Sequence, residues 1–532
     1  MKILTNYSIL QTLHLFLKQL WVHLHLVCLA ELSFTNTFTM MSEPMLLKPK
    51  LIDALFLCVV LAALISSGHA SGDGGKGFIA TVLEASGQGC PGLPPIVSSN
   101  NRLYVAPSGN DAASGAQDAP LATLGEAARR FPSGGTVIVR GGVYPAQPMF
   151  DAVGSKDVPL HIRAADGEKP IFDGSNKQKA DSAVIFMASA SHVVIEGLEV
   201  RNCLALGCEG IASDTPVLDL TIRGNHIHHM SASAARFAGR QIRIEDNDFH
   251  DVVLINENNT NFPYGGWPTC TGTIPNILKP SDPWANDVVI RANRIRNCWG
   301  EGIGVWYGSN VLVEDNSIEN AWSAGIYADN SFNLSIVRNY IRVYRGTDGA
   351  GTGILLGLED YTVWGLPNVR TSNVLVANNV VIAGVGIGWW SMPTPESTYE
   401  SLYVLHNSVA GTQGQAIGIE PVRSGVKHPA NNAIANNVFY STVEESTVGN
   451  PGAFILAGNA WINDAIPAMA GSTDVSLEIV FTDELLQQVQ VNEAQPLAPL
   501  VGIGDARAAL VDDFLCGERN TAAPTRGAFE RL

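Results

Sequence analysis

The sequence predicts an all-β chain wound as a parallel β-helix, with three short strands per coil and coils of about 22–30 residues. Three observations predict it. Asn293, Asn316 and Asn339 recur 23 residues apart. The same pattern surrounds each of them: an aliphatic run ends at the asparagine (Val288–Ile290, Val311–Val313), a short run follows, and Gly-Ile opens a third run (Gly302-Ile303, Gly325-Ile326) with clear alternation. The chain also holds 52 glycines and only 16% charged residues, which suits many tight corners around a long apolar interior. The asparagine is expected at a corner for two reasons. It tolerates left-handed backbone, and stacked asparagine side chains can hydrogen-bond along the pile.

The elements are taken in chain order. Residues 1–39 read as an upstream start-site artefact, because Met40-Met41-Ser42-Glu43-Pro44-Met45 resembles a true start. Residues 40–70 have the layout of a signal peptide: Lys48 and Lys50, the apolar run Ala54–Ile65, then Gly68-His69-Ala70. That run is too short to span a bilayer. The Gly/Pro/Ser-rich stretch 71–101 reads as a linker. Exported chains permit disulfides, and Cys203 with Cys208 is the favoured pair, then Cys270 with Cys298. Next, Thr123 precedes an apolar-periodic run with Glu126 three residues on, a capping box. The helix it opens would cover the end of the solenoid, which needs an atypical terminal element. Coils over 102–460 are counted by the corner position: Leu198, then Asn225, Asn247, Asn293, Asn316, Asn339, Asn379, Asn407 and Asn437. The wide gap after Asn247 is read mostly as a long loop, Asn256–Trp284, acting as an aromatic lid. Residues 461–532 are expected to form a C-terminal cap.

The opening Leu103–Asp111, the segment Pro159–Gly174, the repeat quoted above and the closing Pro524–Glu530 together resemble the pectate-lyase-like superfamily of secreted right-handed parallel β-helix proteins. The resemblance implies a right-handed coil. It also implies that the Gly-Ile strands line a substrate cleft, and that a Lys or Arg base works with carboxylate-held calcium.

The residues themselves mark the same face. Alternation puts Ile303, Val305, Ile326, Ala328, Ile354, Leu356, Ile387, Trp389, Ile417 and Ile419 inward. Outward stand Trp306, Asp329, Gly357, Trp390 and Glu420, with Tyr327 and several glycines one position earlier. Exposed aromatics beside acids and bare glycine suit a sugar chain, so Trp306, Tyr307, Tyr327, Trp390 and Trp267 are the expected substrate contacts. Asp329 and Glu420 lie three coils apart, roughly 14 Å, too far for a hydrolase pair. Glu301, Asp348, Glu359 and Asp360 could supply a nearer partner through loop placement. The expected catalytic set is Asp329, Glu420 and Arg423 as base, with Arg236, Lys279 and Arg345 as alternatives. Calcium is the candidate cofactor and a polysaccharide the expected partner. The net charge of −17 argues against nucleic acid. His228 should stack on His250, which could hold a metal, but their column runs on through Arg296, Glu319 and Arg342 as an ordinary charged ladder. The most economical reading is a secreted, monomeric lyase of a uronate-containing glycan. The alternatives are a non-catalytic carbohydrate-binding or cell-surface protein, and a glycoside hydrolase.

Overall fold

The computed structural model describes residues 92–96, 98–177, 183–259, 269–343, 351–392, 394, 396–420, 432–441, 446–449, 451–462, 470, 472–477, 510, 512–521 and 524–529. The chain divides into two units, Met1–Gly75 and Lys76–Leu532, and every described residue lies in the second. The expected artefact, signal peptide and most of the linker fall outside the described residues, as do Trp267, Arg345, Asp348 and Arg423.

The architecture is a parallel β-helix. Among the described residues, strands that end before the corner asparagines and the Gly-Ile strands make a 23-stranded sheet, and strands that follow the asparagines make a 13-stranded one. All ladders between the strands are parallel, with like positions stacked: Val288 on Val311 on Leu334, and Ile303 on Ile326 on Ile354 on Ile387 on Ile417. The residues expected to point inward are buried and belong to one continuous core.

The corner asparagines form a buried ladder. Asn316 donates its backbone N–H and its Nδ2 to Asn339 Oδ1, at 3.1 and 2.9 Å, and its Nδ2 also reaches the Ile290 carbonyl at 2.9 Å. The same pattern runs from Asn225 to Asn459, and Asp474 accepts the last rung. Asn247 bonds Asn293 directly and Asn339 bonds Asn379 directly, so neither long gap hides a second coil. One expected reason for asparagine fails. The left-handed residue is the one before each rung, such as Asp315 (φ 56), Arg338 (φ 54) or Asn436 (φ 57). The rung itself is selected by its amide, which bonds in both directions along the stack.

The loop expected over Asn256–Trp284 is partly a strand. Thr269–Thr273 joins the Gly-Ile stack between Ala235–Phe237 and Glu301–Trp306. Its threonines are buried, and Thr271 Oγ1 donates to the Ala235 carbonyl at 2.6 Å. A polar run thus serves as core strand because the hydroxyls of Thr271 and Thr273 bond to backbone carbonyls. Deleting 258–280 would remove that strand, so such a deletion does not test a lid. Trp284 packs on Phe332 and Tyr307, with centroids 4.8 and 5.7 Å away.

Leu124–Arg130 is the expected helix, with Leu124, Ala127 and Ala128 in the core. Thr123 caps it by accepting from the Glu126 N–H at 3.1 Å. The reciprocal half of the box is absent: Glu126 pairs with Arg129 and Arg130, and Asp111 Oδ1 takes the Thr123 N–H. Cys203–Cys208 and Cys270–Cys298 are disulfides, with Cα atoms 5.7 and 6.2 Å apart. The coils continue beyond residue 460, since Ala460–Ile462 pairs with Val438–Tyr440 and with Val475–Leu477. Residues 512–529 lie along the outside of successive coils. Phe514 and Phe529 pack on Val380, and Arg519 donates to Asn378 Oδ1 at 3.0 Å.

A second column runs beside the asparagine ladder, one residue before each left-handed corner. Glu196, Arg223, Glu245, Arg291 and Glu314 stack in register and alternate in sign. Arg223 bonds Glu245, Arg291 Nε lies 3.1 Å from Glu245 Oε1, and Arg338 closes the column on Glu314 at 2.5 Å. Glu245 has no exposed side-chain surface, so these charges are held in matched pairs as burial requires.

Candidate active site

The site is built from the outward side chains of three successive Gly-Ile strands, Glu301–Trp306, Ala324–Asp329 and Thr352–Leu358, and from the turn after the last of these. Register stacks Trp306 on Asp329 on Gly357 on Trp390, as alternation predicts, and Gly304 on Tyr327 on Leu355 on Gly388. Gly357 lets two neighbouring side chains close over it. A Cβ there would meet Tyr327 Oη at 2.9 Å and Trp390 Nε1 at 3.0 Å.

Three carboxyls gather beside Tyr327. Asp329 is 0% and Glu301 2% exposed, while Glu359, on the turn, is half-buried. The turn is pinned by a reciprocal amide contact: Glu359 N–H donates to Asn330 Oδ1 at 2.9 Å, and Asn330 Nδ2 donates to the Glu359 carbonyl at 3.1 Å. Tyr327 Oη donates to Glu359 Oε1 at 2.8 Å. Tyr361 and the Trp306 indole sit beside Asp329 and Glu301 as donors, yet neither makes a well-aligned bond. Both Asp329 oxygens and Glu301 Oε2 are left without partners.

Electrostatics follow from this burial. Loss of water, then the charge of Glu359, pushes the Asp329 carboxyl well above its ordinary range. Glu301 is raised by burial first, then by Asp329 and Glu359. Tyr327 and Tyr361 are raised for the same two kinds of reason, burial ahead of the neighbouring carboxylates. The cluster therefore sets acids and phenols whose burial favours their protonated forms beside the half-buried Glu359. Buried acids with strongly raised pKa values on an outer face are candidates for proton transfer.

The residues expected from sequence divide sharply. Asp329, Trp306, Tyr327 and Trp390 come together here. Tyr307 does not: it is fully buried, donates its hydroxyl to the Pro367 carbonyl at 2.9 Å, and forms a satellite core with Tyr361 and Leu366. The turn 358–370 covers it, because an aromatic at the strand's end needs an apolar lid. Glu420 is exposed, beyond Trp390 in the column, and stays remote from Asp329. Among the alternatives, Arg236 is tied to Glu209 at 2.6 Å and Lys279 to Asp282 at 3.0 Å. Glu301 and Glu359, expected to matter only through loop placement, are central. Trp364, 56% exposed and stacked on Tyr361 with centroids 5.1 Å apart, adds an aromatic lip that periodicity does not reveal.

Comparison with known proteins bears on this face. One family model, "Pel9A-like, right handed beta helix region", matches residues 103–260, and another, "Right handed beta helix region", matches 219–394. The chain is 25% identical over 223 residues to pectate lyase PEL9 of Emericella nidulans, covering 39% of this chain and 50% of that protein. It is 26% identical over 143 residues to the uncharacterized protein YwoF of Bacillus subtilis, covering 26% and 30%. It thus spans half or less of these relatives' length. Among solved structures, XylC in complex with xylose superposes with a TM-score of 0.53 at 13% identity, over 81% of this chain and 98% of that one, a likeness of fold.

Proposed function

We propose, from the premise that the chain is a pectate-lyase-like right-handed parallel β-helix protein, that it is an exported, monomeric lyase that cleaves a uronate-containing polysaccharide laid along the Gly-Ile face. The observation that carries the reading is the group of buried acids with raised pKa values, Asp329 and Glu301, beside the Tyr327–Glu359 pair, with Trp306 and Trp390 on either side. The two indoles are about three strand spacings apart, roughly 14 Å, enough to bracket consecutive sugars.

The protons balance within this set. Protonated Asp329 and Glu301 donate hydrogen bonds to the uronate carboxylate and lessen its charge, which makes the neighbouring C5–H more acidic. Glu359 takes the C5 proton while the C4–O bond breaks and a C4–C5 double bond forms. The Tyr327 phenol gives its proton to the departing oxygen. Proton transfer across the 2.8 Å Tyr327–Glu359 contact then restores both groups. Arg423, expected from sequence as the base, lies outside the described residues, and this scheme gives it no step. Calcium takes 6–8 oxygens. Asp329, Glu301 and Glu359 would contribute carboxylate oxygens to such an ion, and this scheme routes no step through it.

The test is ultraviolet absorbance of unsaturated products from pectate, alginate and glycosaminoglycans, with calcium and with chelator. Absorbance should rise on one of these polymers, and Tyr327→Phe should slow the rise by about 10²-fold with glycan binding retained. Reducing ends without absorbance would instead indicate a hydrolase. The complete burial of Asp329 favours a second reading, carbohydrate binding without catalysis. Binding with no product on any polymer would establish that reading against ours.

A further inference from the structure

On the strands that follow the asparagines, away from the acid cluster, four imidazoles converge. His226 and His228 belong to His226–Met230, and His250 to the next coil's Asp248–Val252. His229 joins them because its backbone is left-handed (φ 56), which turns the strand end back over its neighbours. His228 stacks on His250 in register, with ring centroids 4.8 Å apart and planes within 6°. The expected column does continue from His250 through Arg296, Glu319 and Arg342. Arg296, however, is committed to Asp248, with Nη2 at 2.8 Å from each oxygen. The histidines are therefore not one rung of a plain charged ladder but a cluster of their own.

We propose that His228, His229 and His250, with His226 as a further donor, form a binding site for a late first-row divalent cation of the zinc class. One ligand nitrogen from each of His228, His229 and His250 lies within 4.8 Å of the others. His226 Nε2 is 2.7 Å from His250 Nε2, and His228 Nδ1 is 2.7 Å from His229 Nδ1. A neutral imidazole has one N–H and one lone pair. Asp251 Oδ2 sits 2.7 Å from His250 Nδ1 and accepts its proton, which leaves the His250 Nε2 lone pair facing the cluster. A carboxylate behind a histidine in this way is the usual support for a metal-binding ring. Glu199 stands behind His228, 3.5 Å from Nε2. An all-imidazole set without thiolates suits zinc, nickel or copper and disfavours calcium or magnesium. The rings are also reachable: His228 and His250 side chains are 12% and 15% exposed, and His229 is exposed. Without metal, each close nitrogen pair can only share a proton, and the two 2.7 Å contacts together make a proton-shared stack. That is the competing account.

Zinc titration of the full chain by calorimetry, with cobalt absorption as a spectroscopic check, separates the two accounts. The expected result is one equivalent bound, a tetrahedral-type cobalt spectrum, and a rise in the thermal midpoint with zinc. His250→Gln and His228→Gln should each weaken binding by at least about tenfold with the metal-free midpoint unchanged. Should either variant fail to fold, Asp251→Asn keeps every imidazole and should still weaken zinc by about tenfold. Absence of stoichiometric binding, or equal affinity in the folded variants, would overturn the site.

Discussion

Asp329→Asn is expected to slow glycan cleavage and, at neutral pH, to make the protein more resistant to heat. The first effect follows from its place beside Tyr327 and Glu359. The asparagine amide still donates to a uronate carboxylate but is a weaker donor than a protonated carboxyl; a hydrogen bond to a charged group is worth about 1.5–3 kcal/mol, so a fall of about tenfold or more is expected. The second follows from burial. Asp329 is fully enclosed, and neither of its oxygens has a partner. Its folded pKa lies above that of the unfolded chain. Below the unfolded pKa the acid is protonated in both states and costs nothing. As pH rises from that value towards the folded pKa, the unfolded chain gains by ionising and the native state does not, so native stability falls. Asparagine removes this dependence. The midpoint gap between variant and wild type should therefore be smallest in acid and open as pH rises. Glu301→Gln should show the same trend, since burial and two neighbouring carboxyls raise it too. Melting curves of the variants from acid to neutral pH, beside rates on the active polymer, provide the check. Full activity in Asp329→Asn, or a gap that closes with rising pH, would remove Asp329 from its role.

Asn339→Ala should carry a large stability cost, as should the same change at Asn316 or Asn407, whose amides make the same set of bonds. The Asn339 side chain accepts from Asn316 N and Nδ2 at 3.1 and 2.9 Å and donates to the Val313 carbonyl at 2.9 Å and the Val337 carbonyl at 3.1 Å. Alanine orphans a backbone N–H and a carbonyl where no water reaches, at about 1–3 kcal/mol each, and leaves a cavity. A total of about 3–5 kcal/mol is expected, far outside the range of surface changes. Because coils couple mainly to their neighbours, denaturant unfolding should also become less cooperative, with the two halves separating. A loss below about 1 kcal/mol would mean that the apolar stacks alone hold the coils.

Much of this fold is legible from spacing. A period fixed by asparagine identifies the coil, and alternation from Gly-Ile identifies which residues face in. What spacing misses is whatever departs from the coil. Thr269–Thr273 hides as a strand because the hydroxyls of Thr271 and Thr273 bond to backbone carbonyls, which makes a core run look polar. Glu359 reaches Tyr327 from a turn whose path depends on the Asn330 amide, a tertiary contact without periodicity. Tyr307 shows the opposite error: it follows the outward Trp306 at the strand's end, and a turn folded from residues 358–370 covers it. The histidine cluster was half legible. Stacking of His228 on His250 follows from counting, whereas the arrival of His229 depends on a left-handed residue at the strand's end.

The alternating column beside the asparagines solves a problem that the ladder creates. Every asparagine rung offers the same donor and the same acceptor, so any coil could settle on any other, and a chain folding coil by coil has no count. Glu196, Arg223, Glu245, Arg291 and Glu314 add a parity. If one coil is skipped, Arg223 comes to lie on Arg291 and Glu245 on Glu314, with like charges face to face in a site with little water to screen them. The asparagines make stacking favourable, and over these five coils the charges make it favourable only between odd and even coils; in the next two coils the same position is Val337 and then Ala377. The column thus acts as an error check on assembly, and its effect should be seen less in the stability of the finished solenoid than in the yield of correctly ordered chains on refolding.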